Sequence, residues 1–278
     1  MSRIGCSFAR ARAEGRAALI PFVEAFDPDP ETTAALLAGL AEAGADAIEV
    51  GIPFSDPMAD GPTIQRAGQR ALKAGATLAG TLGLIRAFRH RNDTVPVVLM
   101  GYFNPILAYG VASFCSDAAA AGVDGVIVVD LPPEESEELD RPARAAGLDV
   151  VRLVAPTTGP DRLPIVLQGA SGFVYYVSIT GITGTRTATE AHLAEAIPRL
   201  RAATSLPIAV GFGVRTPEQA ATVARHADAA VVASALIDTV AAGLDEWGRL
   251  KPGTVAAVLD QVRALASAVR TARTAAAA

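Results

Sequence analysis

Basic side chains are what this sequence lacks most conspicuously. From residue 17 to residue 65 there is no Lys, Arg or His, yet Glu24, Asp27, Asp29, Glu31, Glu42, Asp46, Glu49, Asp56 and Asp60 all fall there. An isolated buried carboxylate is costly unless it is paired, hydrogen-bonded or protonated, so this crowd of acids needs an explanation. Lysine is scarce throughout. Of 24 basic residues only Lys73 and Lys251 are lysines, and neither falls at a candidate strand end. A Schiff-base lyase requires a desolvated amine inside its core, and none is available. His90, His192 and His226 lie in or beside helical segments far apart in sequence, which argues against a zinc site. Two cysteines, Cys6 and Cys115, make no disulfide framework and fit a reducing cytoplasm. No apolar run approaches the ~18 residues of a membrane span. A net charge of −5 without basic clusters points to neither nucleic acid nor a membrane surface.

What the chain does have is repetition. EAGADAIEVG (42–51), AAGVDGVIVVD (120–130) and AAGLDVVRLV (145–154) share one phrase, and RHADAAVVAS (225–234) is a fourth copy without the Gly. Each reads as a helix end, a glycine suited to a left-handed cap, an Asp, then a short apolar strand. Four further strands read at 17–23, 95–103, 171–179 and 205–213, with Ala- and Leu-rich helical segments between them. Eight strands alternating with helices predict a single (β/α)8 TIM barrel over 1–278. It carries an extra N-terminal helix within 1–16, an extra helical insertion after the second strand, and a frayed tail from 267. The Arg-rich start resembles a transit peptide, but Ile4 and Phe8 at i, i+4 favour an amphipathic helix. An open doubly wound sheet is the alternative; no Gly-x-Gly-x-x-Gly follows the first strand to support it.

A barrel of this kind places its site at the carboxyl ends of the strands. Glu49 falls near the end of the second strand and Asp60 on the loop after it, so carboxylate acid–base chemistry remains when Lys and His are set aside. Turns at 181–185, 211–213 and 233–235 follow the sixth, seventh and eighth strands, and Thr216-Pro217-Glu218-Gln219 opens a helix with a capping box. Singly, such glycines serve tight turns. Three at adjacent barrel loops point to a phosphate held by backbone N–H groups.

The stretch IEVGIPFSDPMADGPTIQ (48–65) resembles the α subunit of tryptophan synthase. Supporting segments are Pro21-Phe22-Val23, Gly101-Tyr102-Phe103-Asn104-Pro105, Val129-Asp130-Leu131-Pro132, Tyr175-Tyr176-Val177-Ser178, Thr180 to Gly184 and Gly211-Phe212-Gly213. The resemblance implies retro-aldol cleavage of indole-3-glycerol phosphate to indole and glyceraldehyde 3-phosphate. It assigns Glu49 as acid–base at indole C3 and at the glycerol hydroxyl. It assigns Asp60 to the indole N–H, with Thr183 as its hydrogen-bond partner. A Glu among apolar neighbours stays partly protonated near neutrality, whereas Asp60 must remain ionised. By the same likeness Tyr175 lies near Glu49, and Phe22, Ile64, Met100, Tyr102, Ile127, Val129 and Phe212 wall the ring. Barrel core is the competing assignment for Ile64, Ile127 and Val129. Gly184, Gly213, Ala233 and Ser234 would hold phosphate. Asp56, Asn104 and Pro132 would face a β subunit, which alone carries pyridoxal phosphate, in an α2β2 assembly. This chain itself would need no cofactor and no metal. A turn role is the alternative for Asp56.

The chain departs from the family at Glu24-Ala25-Phe26, where Thr-Leu-Gly or Thr-Ala-Gly is usual, and at Ala233, where Gly is usual. If the first strand runs far enough, Glu24 shares the face of Phe22 and could keep Glu49 protonated; if not, it is a surface acid. A stand-alone lyase releasing free indole, and a weakly active chain that mainly activates a β subunit, remain open at this point.

Overall fold

The protein is described from a computed structural model, which covers residues 2–177, 190–211 and 213–273. Apolar, β-branched runs form nine short segments: β1 (Ala18–Glu24), β2 (Ile48–Gly51), β3 (Val97–Gly101), β4 (Gly125–Val128), β5 (Asp149–Val150), β6 (Arg152–Val154), β7 (Val174–Val177), β8 (Ile208–Gly211) and β9 (Ala229–Val232). All pair in parallel, in the order β5-β4-β3-β2-β1-β9-β8-β7-β6. Only Val151 separates the two outermost segments, so both edges of the sheet belong to one course of chain. Its first half pairs with β4 and its second with β7, and the Val151 N–H donates to the Val126 carbonyl at 3.0 Å between them. The sheet is therefore a closed (β/α)8 barrel in which the fifth strand is bent.

Helices α1 (Arg3–Ala13), α2 (Pro30–Leu40), α3 (Pro62–Lys73), α4 (Leu78–Arg89), α5 (Phe103–Tyr109), α6 (Val111–Ala121), α7 (Glu137–Ala145), α8 (Leu163–Leu167), α9 (Glu190–Ala203), α10 (Pro217–His226), α11 (Ser234–Ala242) and α12 (Thr254–Thr271) complete the described elements. The helical insertion after β2 is present as the pair α3 and α4. A second pair, α5 and α6, follows β3 and was not anticipated; Gly110, with φ +93°, joins the two. Ile4 and Phe8 of α1 are buried and join the inner core with Val98, Ile127, Tyr175 and Ala209; the Phe8 and Phe173 rings lie 5.6 Å apart. The N-terminal helix thus plugs one end of the barrel. In the tail, Val262, Leu265, Ala266 and Val269 keep helical spacing and are buried, so α12 continues as far as Thr271 into the stretch expected to fray; residues 274–278 lie outside the described residues.

The recurring phrase has a common physical role. Asp46 accepts the Leu19 N–H at 3.0 Å, Asp124 the Val97 N–H at 2.8 Å, and Asp228 the Ile208 N–H at 2.9 Å. Each caps the start of the strand before its own and holds an arginine: Arg16 at 2.8 Å, Arg89 at 2.5 Å and Arg201 at 3.2 Å, respectively. The copy on the bent strand departs, and Asp149 accepts from exposed Ser2. Removing one partner of a buried ion pair strands the other, a loss of about 3–5 kcal/mol. Asp46→Ala, which leaves buried Arg16 without its main partner, should lower unfolding free energy by that much in urea titrations. Asp149→Ala should cost about 1 kcal/mol, the worth of one ordinary hydrogen bond.

Candidate functional site

Strand register places the candidate groups. On β1 and β2, Phe22 lies opposite Glu49 and Glu24 opposite Gly51, and Glu49 lies opposite Val98 of β3. Ile20, Phe22 and Glu24 alternate inward while Leu19 and Val23 join the outer core. Glu49 is 1% exposed, and neither carboxyl oxygen has a hydrogen-bond partner among the described residues. Burial, and then the charge of Asp60, push its pKa up to about 8. Asp60 sits on the loop between β2 and α3, tied down by Gln65, whose Nε2 donates to the Asp60 carbonyl at 2.9 Å. Burial raises its carboxyl to about 6, against a hydrogen bond from Tyr102 that lowers it.

Tyr102 has a role that sequence reasoning missed. Its hydroxyl donates to Asp60 Oδ2 at 3.0 Å and accepts the Ala59 N–H at 3.1 Å. It was anticipated only as a ring wall, with Thr183 as the partner of Asp60; Thr183, Gly184 and Phe212 lie outside the described residues. The available signal was the phenol two residues beyond Met100, at a strand end beside the Asp60 loop.

Two adjoining cavities open at the carboxyl ends of the strands. One, of about 500 Å³, is lined by Glu49, Asp60 and Tyr175, by Phe22, Ile64 and Met100, and by Gly213, Ala233 and Ser234. The other, of about 360 Å³, shares Phe22, Asp60, Ile64 and Met100 and adds Glu24, Phe54, Tyr102 and Val129. Ile64 and Val129 are thus cavity residues. Ile127 is not: it lines neither cavity and packs in the inner core, as core assignment had it. Tyr175 is buried close enough to Glu49 for that carboxylate to raise its pKa after burial does. Among the described residues, no three His, Cys, Asp or Glu side chains group as metal ligands.

Three glycines at strand ends make room for these side chains. A Cβ on Gly51 would meet Glu24 Oε2 at 2.1 Å and Phe22 Cζ at 2.6 Å; on Gly101 it would meet Ile52 at 3.0 Å; on Gly211, the Tyr175 hydroxyl at 2.2 Å. At the phosphate candidates, Gly213 adopts φ +82°, whereas Ala233 has φ −120°. Alanine therefore carries no left-handed penalty there. Ser234 begins α11, whose first N–H groups lack intrahelical acceptors. Arg215, also unanticipated, donates to Ser234 Oγ at 3.2 Å and pairs with Asp238 at 2.5 Å. It sets a cation beside the proposed phosphate seat.

β1 extends through Glu24, which is buried, so it is not a surface acid. Burial raises its pKa well above normal, followed by the charges of Asp60 and Asp27. Its electrostatic neighbour is thus Asp60, and Glu49 owes its proton to burial and to Asp60. Asp56, Asn104 and Pro132 are exposed in the segments that follow β2, β3 and β4, Asn104 at the start of α5. Met58, on the loop after β2, and Leu107, in α5, are exposed beside them. The three loops touch: Phe54 and Tyr102 rings lie 5.3 Å apart, and the Phe103 N–H donates to Asp130 at 2.8 Å.

These protonation states imply a pH-dependent stability. An unfolded Glu loses its proton near 4.5, whereas folded Glu49 holds it to about 8. Within that window the native state binds the extra proton, so its stability falls as pH rises, and the full penalty applies above it. The difference corresponds to a change on the order of 4 kcal/mol. Relative to the parent chain, Glu49→Gln should gain stability progressively from pH 5 to pH 9, measured by urea unfolding at each pH.

A family model described as "Tryptophan synthase alpha chain" matches residues 8–269. A tryptophan synthase alpha chain of Acidiphilium cryptum is 71% identical, covering 99% of this chain and all of that one. One from Granulibacter bethesdensis is 64% identical, covering 98% of each. Among solved structures, the alpha subunit from Legionella pneumophila aligns over 99% of both chains at 39% identity with a TM-score of 0.86. Mycobacterium tuberculosis tryptophan synthase aligns over 97% of this chain and 98% of that one, at 38% identity and the same TM-score. The barrel agrees with the fold of these structures, and the chain belongs to the tryptophan synthase alpha chain family.

Proposed function

We propose that the chain cleaves indole-3-glycerol phosphate into indole and glyceraldehyde 3-phosphate, with Glu49 and Asp60 as the catalytic pair. The observation that carries this reading is the pair itself: two carboxyls in one cleft, one protonated to about pH 8 and the other ionised above about pH 6. Different environments give one acid and one anion from similar groups. Protonated Glu49 donates to indole C3, and Asp60 accepts from the ring N–H and supports the positive charge that develops there. The Glu49 carboxylate then takes the proton of the glycerol hydroxyl. The C–C bond breaks, its electrons return to the ring, and Glu49 is regenerated. Phe22, Ile64, Met100, Tyr102, Val129 and Tyr175 wall the substrate. Gly213, Ala233, Ser234 and the N-terminus of α11 seat the phosphate.

The reaction needs no cofactor in this chain. Indole passes to a β subunit bearing pyridoxal phosphate, docked on the face of Asp56, Asn104 and Pro132, within a cytoplasmic α2β2 assembly. Support for the partner comes from the exposed Met58 and Leu107 beside those residues and from the family. Ordering the loop that carries both Asp56 and Asp60 would align the catalytic carboxylate.

Glu49→Gln and Asp60→Asn should each lower kcat by about 10²–10⁴-fold with the fold intact by circular dichroism. Near-normal turnover in either would sink the assignment. Activity requires ionised Asp60 and protonated Glu49, so kcat/KM should rise through pH 6 and fall through pH 8. Tyr102→Phe removes the hydrogen bond that lowers the Asp60 pKa and should move the acidic limb upward.

A cognate β subunit should accelerate indole formation in a titration at constant chain concentration. Saturation without any change in rate would instead favour a stand-alone lyase.

A further inference from the structure

Glu24 is the polar group in the cleft that the proposed reaction leaves unused. It is 5% exposed, lines the 360 Å³ cavity, and makes no hydrogen bond to any described residue. The groups around it are occupied. Arg70, the nearest cation, gives its Nε and Nη2 to Asp27 at 2.6 and 2.8 Å. Tyr102 is committed to Asp60. The carboxyl packs over Gly51, and a Cβ added at Gly68 on α3 would come within van der Waals range of it.

The cavity it faces has a defined place. The larger cavity reaches the turns after β8 and β9, where the phosphate seat lies. The smaller one is lined from β1 to β4 and the segments that follow them, and it shares Phe22, Asp60, Ile64 and Met100 with the larger. A substrate with its phosphate at Ser234 and its ring N–H at Asp60 therefore extends its benzene edge into the smaller cavity. Indole has a single N–H, which Asp60 takes, so the parent ring offers Glu24 nothing to bind.

We propose that Glu24 is a specificity-determining residue whose carboxyl hydrogen-bonds a hydroxyl or amino substituent on the aromatic ring of the substrate. The chain then accepts ring-hydroxylated and ring-amino indole glycerol phosphates in preference to methyl analogues of similar size. A carboxylic acid both donates and accepts, so it complements either substituent. This inference rests on the lyase reading for the orientation of the ring.

The test uses the full chain and calorimetric Kd values for hydroxyindoles, aminoindoles and methylindoles substituted at each benzene-ring position. For at least one position the hydroxyl or amino compound should bind about tenfold more tightly than the methyl compound. Glu24→Thr should reduce that ratio to near one, and Glu24→Gln, whose amide still donates and accepts, should keep most of it. Because each ratio is taken within one protein, changes in stability cancel. Equal binding of polar and methyl compounds at every position would overturn the proposal, as would a ratio unchanged by Glu24→Thr. Condensation of unsubstituted indole with glyceraldehyde 3-phosphate, measured alongside, reports on the lyase reading separately: loss of condensation with the Kd ratio intact faults that reading and leaves the role of Glu24 standing.

Discussion

At the centre of this barrel lies a carboxyl group with no hydrogen-bond partner among the described residues, while four arginines are engaged elsewhere. Arg16, Arg89 and Arg201 are held where the strands begin, by the aspartates of the recurring phrase, and Arg70 is held by Asp27. Charge is thus sorted along the barrel axis. One end satisfies its acids with arginine and strand N–H groups; at the other, Glu49 is left to burial and to the charge of Asp60. Had any of those guanidinium groups reached Glu49, its pKa would fall and it would be ionised near neutrality. The ion pairs at the base therefore bear on the protonation of Glu49 without touching it.

Most of the architecture was legible in the sequence because it depends on local rules. The left-handed glycines Gly44, Gly122 and Gly147 have positive φ where the phrase placed them, and the capping box at Thr216 forms with Gln219. What escaped was set by tertiary context. Nothing local distinguishes Ile127, which faces the inner core, from Val129, which reaches the cavity. The partnership of Tyr102 with Asp60 joins residues 42 positions apart. The bend at Val151 follows from closing a ring, a requirement that no window of sequence contains. At Ala233, where glycine is usual in the family, only the structure shows that the turn has a negative φ.

The loops after β2, β3 and β4 connect the cleft to the surface. Tyr102 bonds at once to catalytic-candidate Asp60 and to the backbone of Ala59, one residue from exposed Met58. Asp130 then ties the β4 loop to the start of α5. A partner resting on this face presses on hydrogen-bonded loops, so the ionisation and position of Asp60 are open to influence from outside the cleft.

Gly51, Gly101 and Gly211 give the site its volume by what they omit. Each sits beneath a side chain that would collide with a methyl group, though none contributes an atom to the chemistry. In a saturation-mutagenesis map these positions should stand out as intolerant, and a reader looking for catalytic groups would find only hydrogen there. Loss of function at such glycines measures the shape of an empty space. The reshaping of the aromatic compartment during divergence is correspondingly directional: side chains facing the three glycines can shrink freely, while the glycines themselves can grow only after those neighbours have withdrawn.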